Sequence, residues 1–149
     1  MPSGLRTILS FLTVFLAACS SSGIVPVPIE SGDMCSFCRM AISEKKFAAE
    51  MIMDDESVLK FDDIGCMLRF RKTPANRSDA VATFVMDHDS QQWIKVENAY
   101  FIQSPTLKTP MGSGIAAFED RSKAEKLMAN SETRILRFGE LHDEGTQAK

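Results

Sequence analysis

The stretch from Phe47 to Arg71, FAAEMIMDDESVLKFDDIGCMLRFR, contains two strand-like segments followed by a helical one. Residues 47–53 and 56–61 are apolar-rich runs, separated by two aspartates that are typical of a turn. Asp62 or Asp63 can cap a helix that runs through Arg71, with apolar residues recurring on one face. The stretch therefore predicts a strand–strand–helix unit.

The rest of the chain repeats this pattern in part. Phe118-Glu119-Asp120 precedes a second helical segment, as Phe61-Asp62-Asp63 precedes the first. We predict an α+β fold with antiparallel pairing, in which two related strand–strand–helix halves form a single compact domain. The further strands are expected at 80–86, 93–96, 99–103, 114–118 and 134–138, and the second helix at 121–129.

The N-terminus predicts export. Arg6 precedes an apolar run at residues 7–18 that is too short to span a bilayer. The run ends in Leu16-Ala17-Ala18-Cys19, which resembles the lipobox of bacterial lipoproteins, so Cys19 is the expected lipidation site. We predict a signal peptide at 1–18, a flexible Ser/Pro/Gly-rich tether at 19–33, a domain at 34–138 and a polar tail at 139–149. The expected location is the periplasm, at the outer rather than the inner membrane, because Ser20 follows the cysteine.

The length, charge and cysteine count limit the range of possible functions. A chain of 149 residues favours one domain. Its formal charge of −3 argues against nucleic acid, which needs a clustered basic face. Without the signal, the thiols are Cys35, Cys38 and Cys66, so at least one is unpaired within the chain. A soft metal ion is one candidate to occupy such thiols.

The segment Met34-Cys35-Ser36-Phe37-Cys38-Arg39-Met40 is the candidate metal site. Cysteines at this spacing can place both sulfurs on one ion. Zinc would call for four ligands, and neither a second C-x-x-C motif nor paired histidines follow. Met34 and Met40 flank the cysteines, and methionine sulfur is a soft ligand that suits Cu(I). We therefore predict that the segment binds one Cu(I) per chain. A site with so few ligands suits a carrier rather than an enzyme.

A different interpretation of Cys35 and Cys38 remains open. They could form a structural disulfide, or the redox pair of a thiol–disulfide protein. No βαβ pattern surrounds them, which argues against a thioredoxin-like fold. A Cys35–Cys38 pair that cycles between disulfide and thiols would not need the neighbouring methionines for its function.

The other soft or basic side chains have structural interpretations as well. Met34 and Met40 could fill the core. Cys66 is interpreted as a small buried hydrophobic residue in preference to a ligand. His88 is expected in an exposed loop, and His142 could reach a metal only if the tail folds back.

A second loop could supply a ligand. Thr109-Pro110-Met111-Gly112-Ser113-Gly114 contains a proline and two glycines, which define a turn and permit close backbone approach. A methionine at the apex of such a loop can project as a ligand or pack inward. Met111 is therefore a candidate ligand.

Over nearly all of the mature chain, the sequence resembles the NosL family of copper-binding lipoproteins, which are encoded with the assembly machinery of nitrous oxide reductase. The resemblance rests on the order and spacing of short motifs: the lipobox cysteine, Cys35-x-x-Cys38-x-Met40, residues 61–67 (FDDIGCM), Trp93-Ile94, and residues 109–114 (TPMGSG) followed by Ala117-Phe118.

The resemblance implies a non-enzymatic periplasmic Cu(I) metallochaperone that supplies the copper-sulfide centre of nitrous oxide reductase. Its implied partners are nitrous oxide reductase and that enzyme's ABC-transporter-type assembly complex, although a different client is an alternative. The implied ligands are Cys38, Met40 and Met111, with Cys35, and a family histidine ligand could only be His88 or His142. The family fold is distantly similar to organomercury lyase. A lyase-like enzyme would need an acid near the thiols, such as Asp62 or Asp63.

Overall fold

The fold is built on two antiparallel sheets and two short helices. The computed structural model describes residues 23–74, 80–128 and 133–141, so the predicted signal peptide, Cys19 and His142 lie outside the described residues. The elements in chain order are β1 (Ala49–Ile52), β2 (Val58–Phe61), α1 (Ile64–Arg71), β3 (Ala82–Met86), β4 (Trp93–Lys95), β5 (Tyr100–Gln103), β6 (Ile115–Phe118), α2 (Arg121–Leu127) and β7 (Arg134–Leu136). Among the described residues, no helix is long and apolar enough to span a membrane.

The two halves follow the same path. In each, a hairpin leads into a helix, and the next strand returns to pair with the first strand of the hairpin. The sheet orders are β2-β1-β3-β4 and β6-β5-β7, with every pair antiparallel. The α+β class and the two related halves are therefore confirmed.

The helix starts are also equivalent. The Asp63 side chain accepts a hydrogen bond from Gly65 N–H at 2.7 Å, and Asp120 accepts one from Ser122 N–H at 2.8 Å. Each aspartate thus caps its helix two residues after the last residue of a strand. The short sequence echo before the two helices reflects this shared strand–cap–helix turn.

All seven strands are shorter than predicted, by one to three residues each, and the first and the last have a clear local cause. The segment 47–53 forms a strand only from Ala49 to Ile52, because Phe47 ends a 3₁₀-helix. The closing strand ends at Leu136, because Arg137 N–H is bonded to Glu140 Oε2 at 2.7 Å in the turn that starts a second 3₁₀-helix.

A buried aspartate joins the two sheets. Asp87, directly after β3, forms a parallel bridge with Ala117 of β6, and its Oδ2 accepts Glu119 N–H at 2.7 Å. Its Oδ1 accepts the N–H groups of Asp89 and Ser90 at 2.9 and 2.7 Å. Burial alone would raise the pKa of Asp87, but the hydrogen bonds from Ser90, Glu119 and Asp89 outweigh it, so the pKa is lowered.

The main core lies where α1 packs on β1, β2 and β6. Large apolar side chains from both halves meet there, including Phe61, Met67, Val85 and Phe101, and all four are buried. Burying one such side chain is worth about 1.5–3 kcal/mol. Two of the three thiols, Cys35 and Cys66, belong to this core.

Chain before and after the predicted domain also packs against it. We call residues 27–33 the N-terminal strap. Val27 N–H donates to Glu50 Oε1 at 2.9 Å, and Lys60 Nζ lies 2.7 Å from Pro28 O and 2.6 Å from Asp33 Oδ2. At the other end, Leu141 is buried. The described packing therefore extends beyond residues 34–138 on both sides, because the strap and Leu141 have partners on the domain.

Candidate metal centre

The first two thiols lie in a tight loop between Met34 and Ala41. These two residues form an antiparallel bridge, Cys35 N–H donates to Met40 O at 2.8 Å, and Arg39 N–H donates to Cys35 O at 3.0 Å. Arg39 closes the loop with a φ of 64°, a conformation that costs a non-glycine residue about 1–2 kcal/mol. The loop turns Cys35 into the core and leaves Cys38 partly exposed.

The third thiol comes from α1. Ser36 N–H donates to Lys60 O at 2.7 Å, which pins the loop to β2. The chain then passes from β2 into α1, whose first turn carries Cys66. The Sγ atoms of Cys35, Cys38 and Cys66 all lie within 4.8 Å of one another. Three sulfurs around one ion at about 2.3 Å would be about 4.0 Å apart, so a small inward adjustment suffices.

The three thiols have different pKa shifts, in large part because they are hydrogen-bonded to one another. The pKa of Cys35 is lowered, chiefly because the Cys66 thiol donates to it, with further help from the backbone N–H groups of Asp62, Cys38 and Phe37. The pKa of Cys66 is raised, chiefly by that same bond and then by burial. Burial also raises the pKa of Cys38. Metal binding would replace these shared protons with one cation.

The guanidinium group of Arg69 lies beside the thiols. Arg69 Nη2 lies 3.8 Å from Cys66 Sγ, one turn along α1, and the Arg69 guanidinium is 5.8 Å from the centre of the Phe37 ring. A positive charge at this distance stabilises thiolates. Arg69 thus favours a negatively charged sulfur cluster.

The loop at residues 109–114 sits against the start of α1. Met111 N–H donates to Asp63 Oδ2 at 3.0 Å, so one carboxylate caps the helix and holds this loop. A Cβ on Gly65 would lie 2.4 Å from Ser113 Cβ, so the close approach of helix and loop requires glycine there. Gly114 has a φ of +66°, and a Cβ on it would lie 2.2 Å from Ser104 O. These contacts place Met111, partly buried, against the core cluster that contains Cys35 and Cys66.

The remaining candidate ligands lie elsewhere or at the rim. Met34 and Met40 flank the cysteine loop with side chains 52% and 56% exposed. The His88 ring packs between Phe47 and Phe118, with centroids 5.4 Å from each, and belongs to a different part of the core. It is partly buried rather than fully exposed, and burial lowers its pKa. Its ring nitrogens do not join the sulfur cluster.

The structure brings in a residue that the sequence interpretation assigned to packing. Cys66 is buried, as that interpretation expects, but its sulfur also faces the other two. The available signal was the odd number of thiols that remain after the predicted signal peptide is removed. Within the described residues, no other three Cys, His, Asp or Glu side chains bring their ligand atoms this close. Such a cluster can hold a soft ion with a low coordination number.

Comparisons with known proteins agree with this fold. The family model NosL matches residues 26–146. The copper-binding lipoprotein NosL of Stutzerimonas stutzeri is 27% identical over 152 residues, covering 93% of this chain and 80% of that protein. The crystal structure of the copper chaperone NosL from Shewanella denitrificans superimposes with a TM-score of 0.69 at 21% identity, covering 78% of this chain and 95% of that one. The chain therefore belongs to the NosL family.

Proposed function

We propose that this chain is a lipid-anchored copper chaperone that binds one Cu(I) ion at Cys35, Cys38 and Cys66. The observation that carries the proposal is the convergence of three sulfurs within 4.8 Å, with one of them partly exposed. Its similarity to a copper-binding lipoprotein and to a copper chaperone supports the proposal.

Soft sulfur ligands favour Cu(I) in this site. Cu(I) is stable with few ligands, and both thiolate and thioether sulfur suit it. Cys35 and Cys66 would hold the ion from the buried side, and Cys38 from the solvent side. Met111, in the loop bonded to Asp63, and the exposed Met40 would be the additional thioether ligands.

The charge of the site is also compatible with transfer of Cu(I) to an acceptor. A Cu(I) ion held by three thiolates leaves an anionic cluster, which Arg69 stabilises from one side. An incoming sulfur ligand can approach at Cys38 while the two buried thiolates remain bound. Release then proceeds by ligand exchange, without free Cu(I) in solution.

The proposed client is nitrous oxide reductase, with delivery to its copper-sulfide centre through the ABC-transporter-type assembly complex. The family membership supports this client by analogy alone, and delivery to another copper protein is the alternative. The proposed location is the periplasm, with the chain anchored through Cys19. A Cys19→Ser chain is expected in the soluble fraction, and membrane retention equal to that of the parent would contradict the anchor.

A thiol–disulfide function has one observation in its favour, the lowered pKa of Cys35. An attacking thiolate must also be accessible. Cys35 is fully buried, whereas the partly exposed thiol, Cys38, has a raised pKa. The thiolate and the accessible sulfur are thus different residues, which favours a metal site over exchange with protein disulfides.

Anaerobic Cu(I) titration against a chromophoric chelator tests the site. We expect one Cu(I) per chain, and at least a tenfold weaker affinity, about 1.4 kcal/mol, for Cys66→Ser. Met111→Leu keeps the packing volume and removes the thioether, so it should weaken binding as well. Met128→Leu, at an exposed methionine directly after α2, is the matched control and should bind as the parent does. Parental affinity in Cys66→Ser would refute the three-thiolate site.

Delivery is tested separately with the copper-loaded chain. Incubation with copper-free nitrous oxide reductase and its assembly complex should move copper to the reductase, as measured by copper content after separation. Retention of copper by this chain, with transfer to a different periplasmic copper protein instead, would reject the proposed client and leave the binding site intact.

A further inference from the structure

An exposed apolar segment lies at the N-terminal edge of the described structure. Ile24, Val25 and Val27 are 42%, 73% and 39% exposed. Pro26 and Pro28 favour an extended backbone, and within residues 24–27 Pro26 has no N–H while Val27 donates its N–H to Glu50. Such a segment can enter an apolar phase with fewer unpaired backbone donors than an ordinary loop.

The N-terminal strap holds this segment in place. Glu50 Oε1 accepts Val27 N–H, and Lys60 reaches both Pro28 O and Asp33 Oδ2. Ile29 is buried against Ala48 and Met86. The exposed valines therefore project from the surface of the first sheet in a defined position, because the residues directly after them are docked.

The chain length before the strap decides what can cover these side chains. The predicted lipid-bearing Cys19 is five residues before Ile24 and eight before Val27. Fully extended, these spans reach at most about 18 Å and about 29 Å. An acylated Cys19 would therefore hold Ile24 and Val25 within a short distance of the lipid headgroups.

We infer that residues 24–27 rest in the interfacial layer of the bilayer, so that the domain lies against the membrane instead of hanging on a long tether. The inference rests on the lipid anchor in the proposed function. The anchor makes the second contact intramolecular, so that even a small apolar area is occupied at a high effective concentration.

This arrangement limits where copper can be handed over. Cys35 is eight residues after Val27, so the metal centre lies within about 29 Å of the membrane-facing segment. A copper acceptor would then meet the thiols within about 29 Å of the membrane-facing segment. A membrane-attached acceptor fits this geometry better than one that diffuses freely.

Depth-dependent fluorescence quenching tests the inference on the full acylated chain. Trp93 is replaced by phenylalanine in all variants, so that a single new tryptophan reports its surroundings. Val25→Trp probes the segment, and Met128→Trp, at a side chain 38% exposed on the other half, is the control. Each protein is reconstituted into phosphatidylethanolamine–phosphatidylglycerol vesicles, with or without lipids brominated at a shallow acyl position.

The expected result is a blue shift and a loss of emission with brominated lipid for Val25→Trp alone. Equal emission with and without bromine would overturn the inference, as would equal quenching of both variants. A blue shift that grows with protein concentration, without bromine quenching, would assign the segment to contact between copies and overturn it too. Intact mass separates this inference from the proposed lipid anchor. A chain without acyl groups on Cys19 removes the anchor and this inference but leaves the proposed copper site intact, whereas an acylated chain without quenching removes only this inference.

Discussion

Replacing Gly65 by alanine tests whether the helix–loop contact controls the metal centre. The new Cβ would lie 2.4 Å from Ser113 Cβ and 3.0 Å from Asp63 Oδ1. Ordinary van der Waals contact begins at 3.4 Å, so the helix and the loop must separate by about 1 Å. A shift of that size also lengthens the 3.0 Å bond from Met111 N–H to Asp63.

The magnitude follows from two opposing effects. Overpacking of this kind costs about 1–3 kcal/mol. Alanine in place of a helical glycine returns about 0.5–1 kcal/mol. We expect Gly65→Ala to lower the free energy of unfolding by about 1–2 kcal/mol, measured by urea denaturation of the metal-free, reduced protein.

A double-mutant cycle identifies the cause. Ser113→Gly removes the Cβ that the new methyl group meets, so Gly65→Ala should be neutral or stabilising in that background. Cu(I) affinity should be lower in Gly65→Ala than in the parent. The double variant should bind Cu(I) as tightly as Ser113→Gly alone, because the Met111 loop can return to its position against α1. An equal cost of Gly65→Ala in both backgrounds would refute the reasoning.

Two further predictions concern buried carboxylates. Asp63→Ala should cost about 2–4 kcal/mol, because it removes both a helix cap and the bond to Met111. Asp120→Ala, at the equivalent cap that lacks a loop partner among the described residues, should cost clearly less, and equal losses in urea unfolding would contradict the bridging role. Burial raises the pKa of Glu50 above 4.5, so native Glu50 binds its proton more tightly than the unfolded chain does. The stability from this proton is fully present below pH 4.5 and is lost as pH rises through the native pKa. The free energy of unfolding of Glu50→Gln should therefore rise relative to that of the parent between pH 4.5 and 7. A difference between the two proteins that does not change with pH would reject this linkage.

The sequence is sufficient for the elements that depend on neighbouring residues. The apolar runs of the strands, the apolar residues of α1 and the aspartate before each helix are properties of short segments, and the structure contains all of them. The echo between residues 61–63 and 118–120 likewise reflects a local strand–cap–helix turn. The proximity of Cys35 and Cys38 follows from their spacing, because a chain that turns within three residues brings both sulfurs together.

Only the tertiary structure decides which distant residues join that pair. Cys66 reaches the cluster because β2 pairs with β1, the cysteine loop bonds to Lys60, and α1 starts directly after β2. Met111 approaches because Asp63 bonds its backbone and Gly65 leaves room for Ser113. His88, a candidate because the family resemblance implied a histidine ligand, packs between Phe47 and Phe118 in another part of the core.

The physical reason is the range over which each signal acts. Helix caps, short apolar strand segments and a C-x-x-C turn depend on features within a few residues, so the sequence by itself determined the elements and the two-cysteine half of the site. The third thiol and the Met111 loop depend on how the packed elements meet across 28 to 76 residues of chain. Core packing and buried hydrogen bonds select that arrangement, and no local pattern reports it.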